Sequence, residues 1–226
     1  MNLTIIIPAY NAEKFIEKTI EELLINFHDD EIIIINDGST DKTLEKLQKY
    51  NDKIVIINHL KNEGKGSAIQ DGFKKAIGEV VIFTDADLPY GIDNIKDMYN
   101  CLSNTDNDIV IAYRTKFREN FFRHITHMGI NIMIQILFWF NVYDTQCGLK
   151  GFKKSFIDRI KNQLISKNFT IDIEILHLAK KYDQKIAKLL VYTRNINKDS
   201  TIKLVDIIVM MIEILKIRFN KNYIKK

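Results

Sequence analysis

Cysteine and proline are nearly missing from this chain: its 226 residues hold two of each. Cys101 and Cys147 are too few and too widely spaced to staple a small secreted scaffold, and no apolar signal segment leads the chain. Two thiols in a reducing compartment are therefore expected, with the cytoplasm as the default location. Internal repeats and low-complexity linkers are also absent, which excludes fibrous and disordered classes. An excess of one charge is lacking too. The 33 basic residues face 29 acidic ones, and a net charge of +4 is too mild to imply a nucleic-acid partner. The surplus that exists is local, since residues 194–226 carry eight Lys or Arg against three acids. Long hydrophobic runs are missing as well. The uncharged stretch His127–Tyr143 has 17 residues with Asn131, Gln135 and Asn141 among them, short of the roughly 20 apolar residues that a membrane span requires.

What the chain has is apolar sequence in a regular pattern. At 46% hydrophobic it can bury the core of one domain. Leu3–Ile7 is a β-branched run stopped by Pro8, and Asn11 is placed to cap a helix that turns Phe15, Ile16, Ile20, Leu23, Leu24 and Phe27 inward. The alternation repeats with strands at Glu31–Asn36, Ile54–Asn58 and Val80–Thr84, and helices at Asp41–Tyr50 and Gly66–Ile77. Such βαβ repetition predicts an α/β fold with a mainly parallel sheet flanked by helices. A helix through Leu102 and a strand over Asp108–Ala112 come next.

In open sheets of this kind ligands sit beyond the carboxyl ends of the strands. Those ends carry the unusual residues here: Pro8 to Asn11, Asn36 to Asp41, Asn62 to Gly66 and Asp85 to Asp87. Asp85 and Asp87, one residue apart at a buried strand's end, can reach a shared point, and their oxygens suit a hard cation such as Mg²⁺ or Mn²⁺. A solvated acidic turn is the competing reading. Glycines at 64 and 66 permit close backbone approach, and the helix beyond them offers its amino end to phosphate.

The second half changes character. Arg114, Lys116, Arg118 and Arg123 precede His127–Tyr143, where His124, His127, Asn131 and Gln135 form one polar stripe on a helix and the wide apolar remainder carries Trp139. That pattern suits a membrane interface, and equally a core or dimer helix. Asp144–Gly151 reads as a polar, glycine-punctuated stretch, Lys154–Ile160 and Phe169–Tyr182 as helices, and Ile186–Tyr192 as a strand. A final helix, Ile202–Phe219, confines Lys203, Asp206, Glu213 and Lys216 to a narrow stripe, and Lys221, Lys225 and Lys226 trail it. Attachment to an anionic membrane is one reading of these amphipathic C-terminal helices, and a tail that aids solubility is the other.

Taken in order, these blocks resemble family-2 glycosyltransferases, and within them the branch of dolichyl- and polyprenyl-phosphate glucose and mannose synthases, over roughly the first 190 residues. The resemblance implies a GT-A type fold: a catalytic domain over 1–192, with a nucleotide-sugar half to about 112 and an acceptor half from about 113 that includes an interfacial helix at 119–142. Residues 193–226 form the basic helix and tail. It also implies a nucleotide-sugar donor held by Pro8, Tyr10, Glu13, Asp37, Lys65 and Asp85. The family's second block usually begins with two aspartates, the second serving the nucleotide base and ribose; here Asn36 stands first and Asp37 is implied to keep that role. Asp87 is implied as the direct ligand of Mg²⁺ or Mn²⁺, with Asp85 oriented to the ribose or to a metal-bound water. The string Asp144 to Lys150 resembles the acceptor-side block, and Phe169 to Glu174 a further one in which Thr170 and Ile171 separate Phe from Asp.

The activity implied by the resemblance is inverting transfer of a hexose, glucose before mannose, from UDP-glucose, or next GDP-mannose, to a polyprenyl phosphate, with the protein peripheral at the cytoplasmic membrane surface. A phosphate acceptor is mostly dianionic at neutral pH and needs no strong general base. Arg114, Arg118, Arg123 and Lys150 are its expected phosphate contacts. A saccharide hydroxyl would need a base, for which Asp144, Asp172 and Glu174 are the candidates. That soluble glycosyltransferase, and a non-catalytic nucleotide-sugar-binding protein, are the alternatives. The oligomeric state is not legible.

Overall fold

Runs of Ile and Val without charged interruption need apolar cover on both faces, and a helix-flanked sheet supplies it. The computed structural model describes residues 2–114, 137–138, 147–194, 204–220 and 223. In chain order these form β1 (Leu3–Ala9), α1 (Ile16–Asn26), β2 (Glu31–Asp37), α2 (Thr43–Gln48), β3 (Val55–His59), α3 (Lys65–Lys75) and β4 (Val80–Phe83). Then come α4 (Gly91–Asn104), β5 (Ile109–Tyr113), β6 (Lys150–Lys153), α5 (Lys154–Ile160), α6 (Ile171–Lys181), β7 (Ile186–Leu190) and α7 (Leu204–Arg218). The strands make one sheet in the order β3-β2-β1-β4-β6-β5-β7. All neighbours are parallel except β6, which runs antiparallel to both β4 and β5.

Side chains alternate strictly between the two faces. Ile5, Ile7, Ile32, Ile34, Val80 and Ile82 pack with Ile16, Ile20, Leu23, Ile95 and Met98 of α1 and α4. Ile6, Ile33, Ile35, Val81 and Phe83 pack on the other side with Ile69 and Phe73 of α3 and with α5, α6 and α7. The last helix is part of this second layer, because Met210, Ile214 and Ile217 are buried in it.

Three local expectations changed. The first strand continues past Pro8 to Ala9. Pairing with β4 has ended at Ile6, so at Pro8 the strand has only β2 beside it and a missing N–H leaves no ladder bond unmade. Asn11 does not cap α1, which begins at Ile16. Its left-handed backbone (φ 49°) turns the chain instead. The third change is β6, expected as part of a polar loop. Four residues reading Lys-Gly-Phe-Lys carry too little pattern to mark a strand; it is the pairing offered by β4 and β5 on either side that makes one. The interfacial helix expected over 119–142 lies outside the described residues, apart from Leu137 and Phe138, and so do residues 195–203 of the expected C-terminal unit.

Candidate active site

The loops after β1 to β4 meet at one end of the sheet, and hydrogen bonds run from each to the next. Between the first two, Asn11 N–H donates to Ser39 Oγ (3.0 Å) and Asn11 Oδ1 accepts the Thr40 N–H (2.8 Å). Ala12 N–H donates to Thr43 Oγ1 (2.7 Å), Glu13 N–H to Asp41 Oδ2 (3.1 Å), and Glu13 Oε2 accepts the Lys42 N–H (3.0 Å). Glu13 thus locks two loops together. Pro8 is half-buried, and Tyr10 stands at the rim with 50% of its surface exposed.

Asp37, at the end of β2, is buried and links the second loop to the third. Its Oδ1 accepts the Glu63 N–H (2.8 Å) and its Oδ2 the Gly64 N–H (2.9 Å). His59, at the end of β3, sits with Nδ1 2.8 Å from Asp37 Oδ1 and Nε2 3.1 Å from Asp71 Oδ2. The carboxylate therefore shapes the turn that opens α3. Gly64 in that turn has φ 96°, and a Cβ there would overlap the Lys167 carbonyl, so both conformation and space demand glycine.

The first residue of α3, Lys65, crosses to the fourth loop. Its Nζ lies 2.5 Å from Asp85 Oδ1. Burial works against the charge on Lys65, but Asp85 and Asp172 outweigh it and hold the ammonium above the usual lysine range. The other Asp85 oxygen faces Gly148, where a Cβ would overlap the carboxylate. Tyr90 is buried and hydrogen-bonded to the Cys147 thiol, and burial first, then Cys147, push its phenol up. Arg114, directly after β5, is close enough for its charge to act on Tyr90 in the opposite direction.

Below this group lies a second ion pair. Lys150 Nζ is completely buried, 2.5 Å from Asp172 Oδ1 and 2.6 Å from the Cys147 carbonyl, with the Phe83 ring at 5.7 Å. The structure thus brings Asp85, Lys65, Asp172 and Lys150 together, but it turns Lys150 inward to a carboxylate rather than outward to a phosphate. Glu174 is fully buried too, and accepts the N–H groups of Ile165 and Ser166 (both 2.9 Å) and the Tyr223 hydroxyl. Arg118, Arg123 and Asp144 lie outside the described residues.

Asp85 and Asp87 are both half-buried, on either side of the buried Ala86. Among the described residues no three His, Cys, Asp or Glu side chains gather into a complete metal cage. Mg²⁺ and its like take one or two carboxylates and complete their shell with water and substrate phosphate. Asp85 beside the amino end of α3, with Asp87 two residues further on, fits an ion that arrives with a diphosphate. Several contributors carried little sequence signal. His59 is marked only by its place at a strand end, and Tyr90 and Ser166–Asn168 enter through packing.

Residues 4–172 match the family model described as Glycosyl transferase family 2. A dolichyl-phosphate beta-glucosyltransferase of Trichomonas vaginalis is 32% identical, over 95% of this chain and 72% of that protein. The dolichyl-phosphate beta-glucosyltransferase of Dictyostelium discoideum is 30% identical, over 96% of this chain and 74% of its own. A UDP-N-acetylglucosamine–dolichyl-phosphate N-acetylglucosaminyltransferase of Methanococcus voltae is 31% identical over 84% of both chains. Among solved structures, glucosyl-3-phosphoglycerate synthase of Mycobacterium tuberculosis in complex with Mn²⁺, UDP and its glucosylated product superposes with a TM-score of 0.72 at 19% identity, covering 96% of this chain and 79% of that one. At that identity the likeness is one of fold, the GT-A type.

Proposed function

This chain belongs to glycosyl transferase family 2, and from that premise we propose that it moves a hexose from a nucleotide diphosphate sugar to a polyprenyl phosphate. Relatives that use different sugars carry dolichyl phosphate in their names, so the acceptor has broader support than the sugar. UDP-glucose is the favoured donor and GDP-mannose the next. The observation that carries the acceptor is the Lys150–Asp172 pair. A sugar hydroxyl needs a base to take its proton; of the base candidates among the described residues, Asp172 is buried and committed to an ammonium, and Glu174 to two backbone N–H groups and a phenol. A phosphate monoester has its second pKa near 6 and attacks as the dianion, with no proton to remove.

On the donor side, Asp37 holds the Glu63 and Gly64 amides, and through them the turn that aims the amino end of α3 at the diphosphate. Lys65 adds an ammonium where charge grows as the leaving group departs. Asp85 and Asp87 would hold Mg²⁺ or Mn²⁺, which when bound supplies Lewis-acid stabilisation of the diphosphate. Tyr10 and Pro8 line the rim for the base and ribose, with Glu13 fixing the loop that carries them. Arg114 pairs with the acceptor phosphate, and the buried Lys150–Asp172 pair is the floor beneath it. Arg118, Arg123 and Asp144 stay assigned to the acceptor side by sequence.

The reaction belongs at a membrane surface. Among the described residues no helix is long and apolar enough to cross one, and the outward face of α7 exposes Val209, Met211, Ile212, Leu215 and Phe219, the last at 66%, next to Lys216 and Arg218. Such a face suits peripheral docking on anionic lipid. Both cysteines remain thiols, which supports the cytoplasmic side. The test is a transfer assay on anionic vesicles containing polyprenyl phosphate, with Mg²⁺ or Mn²⁺ and a panel of nucleotide sugars. The expected result is a glycolipid of the mass of one added hexose, formed by protein that floats with the vesicles. No glycolipid from any donor overturns the reading.

A further inference from the structure

The matched family segment ends at residue 172, yet the donor loop is braced by a residue far beyond it. The backbone of Ser166–Asn168 is pressed against the opening of α3. Lys167 O accepts the Ser67 N–H (3.1 Å) and Ser166 O accepts Gln70 Nε2–H (2.7 Å). A Cβ at Gly64 would overlap the Lys167 carbonyl and Asn168 Oδ1, and one at Gly66 would overlap the Ser166 carbonyl. The donor turn and this segment are therefore in direct contact along three residues.

From the opposite side the same segment is held by two carboxylates. Glu174 takes the N–H groups of Ile165 and Ser166. Glu213, on α7, uses both oxygens: Oε1 accepts Asn168 Nδ2–H (2.8 Å) and Oε2 accepts the Thr170 hydroxyl (2.6 Å). Asn168 thus spans the gap, its amide nitrogen on Glu213 and its oxygen against Gly64. Thr170 is fully buried and stands two residues before Asp172, whose carboxylate pairs with Lys150.

We infer that Glu213 is a positioning residue for donor binding: it anchors Asn168 and Thr170, and through them sets the turn at Gly64–Gly66 that receives the diphosphate. The inference rests on the donor reading given above. A carboxylate gives each donor its own oxygen, and ionised acceptors form the stronger bonds. It also joins the donor turn to the helix whose opposite face is exposed, so α7 contributes to the site without touching substrate.

The experiment measures UDP-glucose binding by calorimetry with Mn²⁺ present, and steady-state transfer, for wild type and for Glu213→Ala, Glu213→Gln and Thr170→Val, with melting curves for each. Loss of a charge-assisted bond is worth on the order of tenfold in affinity. Glu213→Ala is expected to weaken donor binding about tenfold and raise the donor KM alike, leaving the acceptor KM unchanged. Glu213→Gln, which keeps one acceptor oxygen, restores part of the loss. Thr170→Val, which removes a single bond in a residue of nearly the same shape, falls between wild type and alanine, and it decides the matter if Glu213→Ala does not fold. Equal donor affinity in wild type and the folded variants, or equal rises in both KM values, overturns the inference alone. Wild type that binds no nucleotide sugar overturns the donor reading and this one with it.

Discussion

Replacing Asp172 by Ala separates two roles for a carboxylate that the sequence leaves open. The Lys150 ammonium has no exposed surface, and it rests against Asp172 at 2.5 Å, one neutral carbonyl at 2.6 Å and a ring face at 5.7 Å. Asp172→Ala leaves a buried positive charge with the last two. Removing one partner of a buried pair costs about 3–5 kcal/mol. In a chain of this size each kcal/mol moves the melting temperature by roughly 2–4 °C, so the expected fall is on the order of 6–20 °C. Asp172→Asn keeps the shape and an acceptor oxygen but loses the charge, and should fall by less. Lys150→Met with Asp172→Leu removes both charges and should recover most of the stability, because a well-packed apolar pair can replace a buried ion pair at little cost. Calorimetric melts of Lys150→Met, Asp172→Leu and their double close the cycle and yield the coupling directly. If Asp172→Ala melts within about 2 °C of wild type, or the double is no more stable than the singles, the ion-pair reasoning is refuted. A base would behave otherwise: Asp172→Asn would stop transfer while leaving the melt untouched.

Two further outcomes are expected. Gly148→Ala places a Cβ inside the Asp85 carboxylate and displaces it from Lys65, so kcat/KM should drop on the order of 100-fold with little change in the melt, as misplacements near 1 Å do; unaltered kinetics would remove Asp85 from the site. His177 lies edge-on between Phe138 and Tyr223, and burial first, then Arg218, Lys181 and Lys180, bring its pKa down from 6.5 to about 4. Between those values the unfolded chain binds more protons than the folded one, so stability that is full above pH 6.5 is lost as pH falls toward 4. His177→Phe should flatten the melting temperature over that window. Carboxylates held low, Glu17 with a usual value of 4.5 and Asp41 and Asp158 with 3.8, lose their contribution from the acid end of that window downward, so the comparison is wild type against His177→Phe at each pH.

Much is legible in the chain because it is local. Uninterrupted Ile and Val runs mark strands covered on both faces, period-2 alternation divides them between two helix layers, and strand ends in a parallel sheet point the same way. Those rules alone place Pro8, Asp37, Lys65, Asp85 and Asp87 at one end of the sheet. They do not carry which partner a side chain meets across a long separation in sequence. Lys150 reads as a phosphate ligand by type and by neighbours, and becomes the buried partner of Asp172 only when β6 is threaded between β4 and β5. Asp172 and Glu174 read as candidate bases, and turn inward because α6 is buried on nearly all sides. Glu213 reads as one charge in a helix stripe, and meets Asn168 and Thr170 because α7 packs beside α6. Local sequence sets the periodicity of burial and the chemistry delivered at each strand end. Tertiary packing decides which of those charges face water and substrate and which are neutralised by one another, since desolvation makes an unpaired buried charge too costly to keep.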